Sequence, residues 1–228
     1  MLIANDITKS YKNLQVLNGL SFEVQKGEIV AIVGSSGAGK STLLHIIGTL
    51  DSPNSGKLKL DDTDVLKLKG NALAKFRNEK IGFVFQFHNL LPEFTALENV
   101  CLPAFLANIP TQQAEKKAKE LLDYLGLKDR MTHLPSQMSG GEQQRTAIAR
   151  ALVNNPQLVL ADEPSGNLDF ENATELHNLF FNLRKEMGYT FIIVTHNQTL
   201  ANMSDRMLVM RAGLIEGEAK SGGIELKK

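Results

Sequence analysis

Hydrophobic and polar positions divide this chain into short apolar runs and longer amphipathic stretches. From Val16 to Val24 the residues Val16, Asn18, Leu20, Phe22 and Val24 fall on one side of a two-residue alternation, which predicts a half-buried strand. A second β-rich segment precedes it at Leu2 to Ile7. In the run Glu28 to Val33 every residue after Glu28 is apolar, as in a strand buried on both faces of a parallel sheet. The stretch after it, Lys40 to Leu50, reads as a helix, and Gly56 to Leu60 and Ile81 to Phe85 read as further strands. From about Leu97 to Leu152 the pattern is mostly helical. Within it Ala114 to Leu125 is amphipathic: Lys116, Lys117, Lys119 and Glu120 form a solvated face beside Leu121, Leu122 and Leu125. Strands return at Leu158 to Ala161, Phe191 to Val194 and Met207 to Met210, with a helix over Asn172 to Met187. The polar tail Ser221 to Lys228 is expected to be loose. Pro53, Pro92, Pro135 and Pro156 punctuate the turns. The order implies an α/β core over 1–86 and 156–228, interrupted by a helical insertion over 87–155.

Charge and composition narrow the functional classes. The 228 residues hold 25 Lys+Arg and 25 Asp+Glu, so the net charge is zero and generic attraction to nucleic acid is not indicated. The segment Met1 to Asp6 turns polar too early for a signal peptide, and no apolar run reaches the ~18 residues of a membrane span. A cytosolic chain is expected, with any membrane role passing through a partner. The single cysteine, Cys101, lies in an apolar run and suits a packed thiol better than a reactive one.

The chemistry-bearing residues cluster at predicted strand ends. Gly34, Ser35, Ser36, Gly37, Ala38, Gly39, Lys40 and Ser41 fit a phosphate loop between a buried strand and a helix. Backbone N–H groups of such a loop suit a polyphosphate, Lys40 the β- and γ-phosphates, and the Ser41 hydroxyl a Mg²⁺ ion. Asp162 closes an aliphatic strand and can hold Mg²⁺. Glu163, pointing elsewhere, is the candidate to orient or deprotonate the attacking water. His196 stands at another strand end, where an imidazole can bond the γ-phosphate or that water. Gln86 follows the strand Ile81 to Phe85, and its amide can touch Mg²⁺ or water. Tyr11, in a loop-like stretch, can stack on adenine, although a tyrosine between strands also suits ordinary packing. No Asn-Lys-x-Asp guanine reader is present, which favours ATP over GTP. The run Met138-Ser139-Gly140-Gly141-Glu142-Gln143-Gln144, just before an apolar strand ending in Asp-Glu, can offer hydroxyl and N–H donors to a nucleotide held by another copy.

Together these residues resemble the ATP-binding-cassette (ABC) ATPases over nearly the whole chain. In that resemblance Tyr11 matches the aromatic loop, Gly34 to Ser41 with Thr42 the Walker A segment, and Gln86 the Q-loop. Ser139 to Glu142 matches the signature, Leu158 to Asp162 the Walker B strand, Glu163 the catalytic glutamate, Ser165 to Asp169 the D-loop and His196 the switch histidine. Met138 and Glu142 stand where the usual signature has Leu and Gln. The first exchange conserves volume, and no nucleotide contact is assigned to Glu142. The resemblance implies a P-loop NTPase fold with an N-terminal antiparallel β subdomain and an inserted helical subdomain. It implies ATP and Mg²⁺ as cofactors, and a head-to-tail homodimer in which ATP at Lys40 and Ser41 of one copy meets Ser139 and Gly141 of the other.

A finer resemblance lies in Phe85 to Val100, and more weakly in Ala149 to Asp169, to the lipoprotein-releasing, LolD-type subset. It implies an energy-coupling subunit held at the cytoplasmic face of the inner membrane by permease subunits of LolC/LolE type. MacB-like export ATPases and FtsE-like signalling ATPases are the alternatives. Phe87, Leu90, Leu91 and Phe94 can form the apolar cradle for a membrane partner's helix, or can simply pack the insertion.

Overall fold

The computed structural model describes residues 1–220 and 223–226. They form two compact units, Met1–Ala74 with Leu183–Lys228, and Lys75–Asn182.

In the first unit, β1 (Leu2–Tyr11) lies between β2 (Leu14–Val24) and β4 (Ser55–Leu60), antiparallel to both, and the short β5 (Thr63–Asp64) extends β4. Leu2, Ala4, Ile7, Leu20, Leu58 and Leu60 carry the buried side of this sheet. A second sheet is built on β3 (Ile29–Gly34), with β8 (Phe191–Val194) parallel on one side and β9 (Arg206–Arg211) parallel on the other. β10 (Leu214–Lys220) and β11 (Gly223–Leu226) continue it antiparallel beyond β9. Ile29, Val30, Ala31 and Ile32 are all fully buried, which is why β3 shows no polar alternation. α1 (Lys40–Ile47) follows the glycine loop and buries Leu43, Leu44, Ile46 and Ile47, while α7 (Gln198–Met203) follows β8.

α2 (Gly70–Lys80) leads into the second unit, where β6 (Ile81–Phe85) and β7 (Leu158–Asp162) pair in parallel from Ile81↔Leu158 to Phe85↔Asp162. Between them come α3 (Ala96–Leu106), α4 (Thr111–Tyr124) and α5 (Gly140–Leu152); α6 (Phe170–Met187) follows β7. Gly82 of β6 touches α5: a Cβ there would stand 2.5 Å from the Ala151 carbonyl oxygen, so only glycine fits. Cys101 is buried in α3 and burial pushes its thiol up to about 11, so the packed reading holds and the thiol is inert.

Three expectations need correction. Tyr11 is not in a loop: it ends β1, paired with Leu14 across a two-residue turn in which Lys12 takes a left-handed φ of 53°. α2 was not foreseen, because Phe76 is its single buried residue and no apolar stripe marks it. Part of the polar tail, Gly223–Leu226, is a strand on β10; residues 221, 222, 227 and 228 of that tail lie outside the described residues.

Candidate nucleotide site

In the first unit the strand register brings the glycine loop and His196 to one sheet edge. β3 runs directly into the glycine loop. Its neighbour β8 pairs Ile32↔Val194, and Thr195 N–H then bonds the Ile32 carbonyl at 3.1 Å. His196, exposed, therefore emerges beside the start of the loop. Gly34 has no room for a side chain, since a Cβ would approach the Met210 carbonyl oxygen at 2.1 Å. The Lys40 ammonium folds over the loop and donates to the Gly34 carbonyl at 2.8 Å and the Ser35 carbonyl at 3.0 Å. The N-terminus of α1 is capped by Gly39, with φ 95°, without any side-chain hydrogen bond and with no acidic residue in the first turn. A helix start with neither a side-chain cap nor a first-turn acid offers a dipole and backbone donors that suit a polyphosphate. Ser41 and Thr42 sit in this first turn, and Tyr11 stands at the tip of the β1–β2 hairpin with 46% of its surface exposed.

In the second unit Gln86 and Asp162 share the carboxyl edge of β6 and β7, because Phe85 and Asp162 are register partners. Glu163 follows Asp162 with a φ of 46°, a left-handed conformation that a non-glycine residue holds at a cost of roughly 1–3 kcal/mol. This kink sends Glu163 off the line of the strand. Among the described residues no group of three or more His, Cys, Asp or Glu side chains clusters. The Gln86 amide and the Asp162 carboxylate at this edge are ligand types that suit a cation held largely by phosphate oxygens and water, as Mg²⁺ is.

Ser139 caps α5. Its hydroxyl accepts the Glu142 N–H at 3.2 Å, and the Glu142 carboxylate accepts the Ser139 N–H at 2.8 Å. Glu142 also pairs with Arg130 at 2.7 Å. The Ser139 N–H, with Arg130, holds its carboxyl below the ordinary glutamate value. The signature acid therefore serves its own helix. Gly141 packs against Asn172 of α6, where a Cβ would stand 2.5 Å from the amide oxygen. Asn172 in turn donates from its backbone and its side chain to Asp169.

Sequence reading passed over several residues that hold this arrangement. Gln144, fully buried, donates to the Pro164 carbonyl at 2.7 Å. Asn167 accepts the Gln86 amide at 3.0 Å and donates back to the Gln86 carbonyl at 3.1 Å. Arg150 bonds the carbonyls of His88 and Asn89, fixing the segment after Gln86. Buried His177, given no role from sequence, lies 3.1 Å from the Ser165 hydroxyl. Gln144 and Asn167 lie inside motifs already singled out, but no spacing marks the partners that any of these residues holds.

Comparison with known proteins agrees with this geometry. Residues 17–166 match the family model described as ABC transporter. A protein of Cytophaga hutchinsonii named lipoprotein-releasing system ATP-binding protein LolD is 58% identical over 94% of this chain and 98% of its own length. One of the same name from Bacteroides fragilis is 57% identical over 94% of this chain and 100% of its own. A solved dimeric structure of the ATP-binding cassette MJ0796, in a post-hydrolysis state with ADP and Pi, superposes with a TM-score of 0.89 at 40% identity, covering 98% of this chain and 100% of that one. With an α/β fold, a phosphate loop and a signature helix in family order, the chain belongs to the ABC transporter family as one of its ATP-hydrolysing cassettes.

Proposed function

We propose that this ATPase is the energy-coupling subunit of an ABC transporter that releases lipoproteins from the inner membrane toward the outer membrane. The observation that carries the reading is the near end-to-end match, above one-half identity, to proteins named for that system. In this reading two copies pair head to tail. Lys40 and the loop Gly34–Gly39 bind the β- and γ-phosphates, and Ser41, Asp162 and Gln86 hold Mg²⁺. Glu163 activates the attacking water, His196 contacts the γ-phosphate, and Ser139 and Gly141 close the site of the opposite copy. Mg²⁺, when bound, supplies charge neutralisation at the transferring phosphoryl group.

Attachment to the membrane runs through permease subunits of LolC/LolE type at the cytoplasmic face. No helix among the described residues is long and apolar enough to cross a bilayer. Phe87, Leu91 and Phe94 are exposed on the segment that follows Gln86, with Phe87 at 70%, and they favour the docking role over packing of the insertion. Nucleotide-driven movement at Gln86 would pass directly into that segment.

Reconstitution of the chain with its cognate permeases in proteoliposomes carrying a lipidated substrate tests the reading. ATP-dependent release of the lipoprotein to a soluble acceptor is expected, with none from Glu163→Gln. Robust ATPase stimulation by the permeases without release of any lipoprotein contradicts the assignment of cargo.

A further inference from the structure

The ring of Tyr11 is clamped. Its hydroxyl donates to Asp51 Oδ2. Lys9 Nζ donates to Asp51 Oδ1 at 2.6 Å and to the Ser52 carbonyl at 2.6 Å, and the same ammonium stands 4.8 Å from the centre of the Tyr11 ring. Lys9 and Tyr11 are two apart on β1 and share one face of that strand. Asp51 lies just beyond α1, and the Thr42 side chain, in the first turn of α1, also bonds the phenol. One helix thus carries the phosphate-binding residues Lys40 and Ser41 at its start and the anchor of the aromatic ring just past its end.

Lys9 is only 9% exposed, and burying an ammonium is costly unless it is paired. The Asp51 pair meets that need, and it sets the ammonium over the ring of Tyr11 and the carboxylate on its hydroxyl. Lys9 lies over the ring, and Tyr11 nonetheless keeps 46% of its surface exposed. Leu14, its cross-strand partner, is 67% exposed beside it. Burial opposes ionisation of Asp51, but the hydrogen bonds from Lys9 and Tyr11 outweigh it and hold the carboxyl below the usual aspartate range. Its acceptance of the Tyr11 proton raises the phenol in turn.

We propose that Lys9 and Asp51 are positioning residues for the nucleobase: they lock Tyr11 by one ring face and its hydroxyl, presenting the other face at a set distance from the phosphate loop. The proposal rests on the reading of Tyr11 as the base platform and deepens it. Locking the ring before binding removes the rotamer entropy that a free side chain would lose on stacking. Stacking reads a π-face, so the clamp raises affinity for purine nucleotides in general.

The test is calorimetric titration of the full chain, without Mg²⁺, with ATP and with inorganic tripolyphosphate. The ratio Kd(tripolyphosphate)/Kd(ATP) isolates the contribution of the nucleoside. Tyr11→Leu is expected to lower this ratio on the order of tenfold. Tyr11→Phe, Asp51→Ala and Lys9→Met, which keep the ring or its neighbours but release the clamp, are expected to lower it about threefold each, with tripolyphosphate affinity unchanged. If Tyr11→Leu leaves the ratio intact, the base-site reading itself fails. If Tyr11→Leu lowers it while the three clamp variants hold the wild-type ratio, the platform stands and the positioning role is overturned. A parallel loss of affinity for both ligands in the clamp variants, at constant ratio, also overturns it, because general damage to the unit would then explain them.

Discussion

Two helices in this molecule have glycine at their N-termini, Gly39 before α1 and Gly140 and Gly141 opening α5, and the two ends are finished in opposite ways. α5 begins at Ser139 with a reciprocal capping box: Glu142 supplies negative charge in the first turn and Arg130 balances it. α1 begins at Gly39 with no side-chain cap and no first-turn acid. A helix start that satisfies itself is a structural device; one left open needs a ligand or water. The contrast supports the proposal that α1 binds phosphate. In α5 the Ser139 hydroxyl, while accepting the Glu142 N–H, keeps its own proton to donate elsewhere.

The largest way to break this contrast is at α1. Lys40→Ala removes the cation of the loop and is expected to reduce ATP turnover about a hundredfold or more, measured as phosphate release at saturating nucleotide. Undiminished turnover would move the phosphate site away from α1. On the α5 side, Gln144→Leu leaves the Pro164 carbonyl without its buried donor and should cost about 1–3 kcal/mol in chemical denaturation. Glu142→Ala removes the capping box and should cost about 1 kcal/mol, a Tm drop of about 2–4 °C, with nucleotide affinity preserved. Glu142 also gives a pH signature. Its folded carboxyl lies below the ordinary value of 4.5, so its stabilisation is fully present above that value and fades as pH falls through the lower folded one. Glu142→Gln keeps an acceptor for the Ser139 N–H and should flatten this acid dependence, which parallel thermal melts from pH 6 downward would reveal. The smallest effect is expected at Phe87→Ser, within about 0.5 kcal/mol for so exposed a residue, although permease-stimulated ATPase activity should fall.

How much of this was legible depended on whether burial imprinted a local pattern. Ile81–Phe85 and Phe191–Val194 are observed with the expected bounds, because strands buried on both sides write continuous apolar runs. β10, Leu-Ile-Glu-Gly-Glu-Ala-Lys, has a mixed pattern with a central glycine and went unseen, as did α2 with its single buried side chain. Tyr11 looked like loop because the turn at Lys12 follows it at once and hides the end of the strand. The glycine loop, Asp162, Glu163 and His196 could be singled out as candidates because their residue types stand next to strand ends. Lys9, Asp51, Gln144 and Asn167 could not, because their roles come from partners 20 to 81 residues away in the chain. Glu142 shows the reverse case: its departure from the usual signature was visible in the sequence, and its physical purpose, a capping box, emerged only with the helix bounds.

The central claim is that a nucleotide seated on α1 of one copy is closed by Ser139 and Gly141 of another. The most direct measurement is the molar mass of Glu163→Gln in solution by light scattering, with ATP added and with ATP omitted, alongside the Lys40→Ala, Glu163→Gln double variant. The account expects a dimer for the single variant in ATP, a monomer without ATP, and a monomer for the double variant in both conditions. A single variant that stays monomeric at saturating ATP would contradict it.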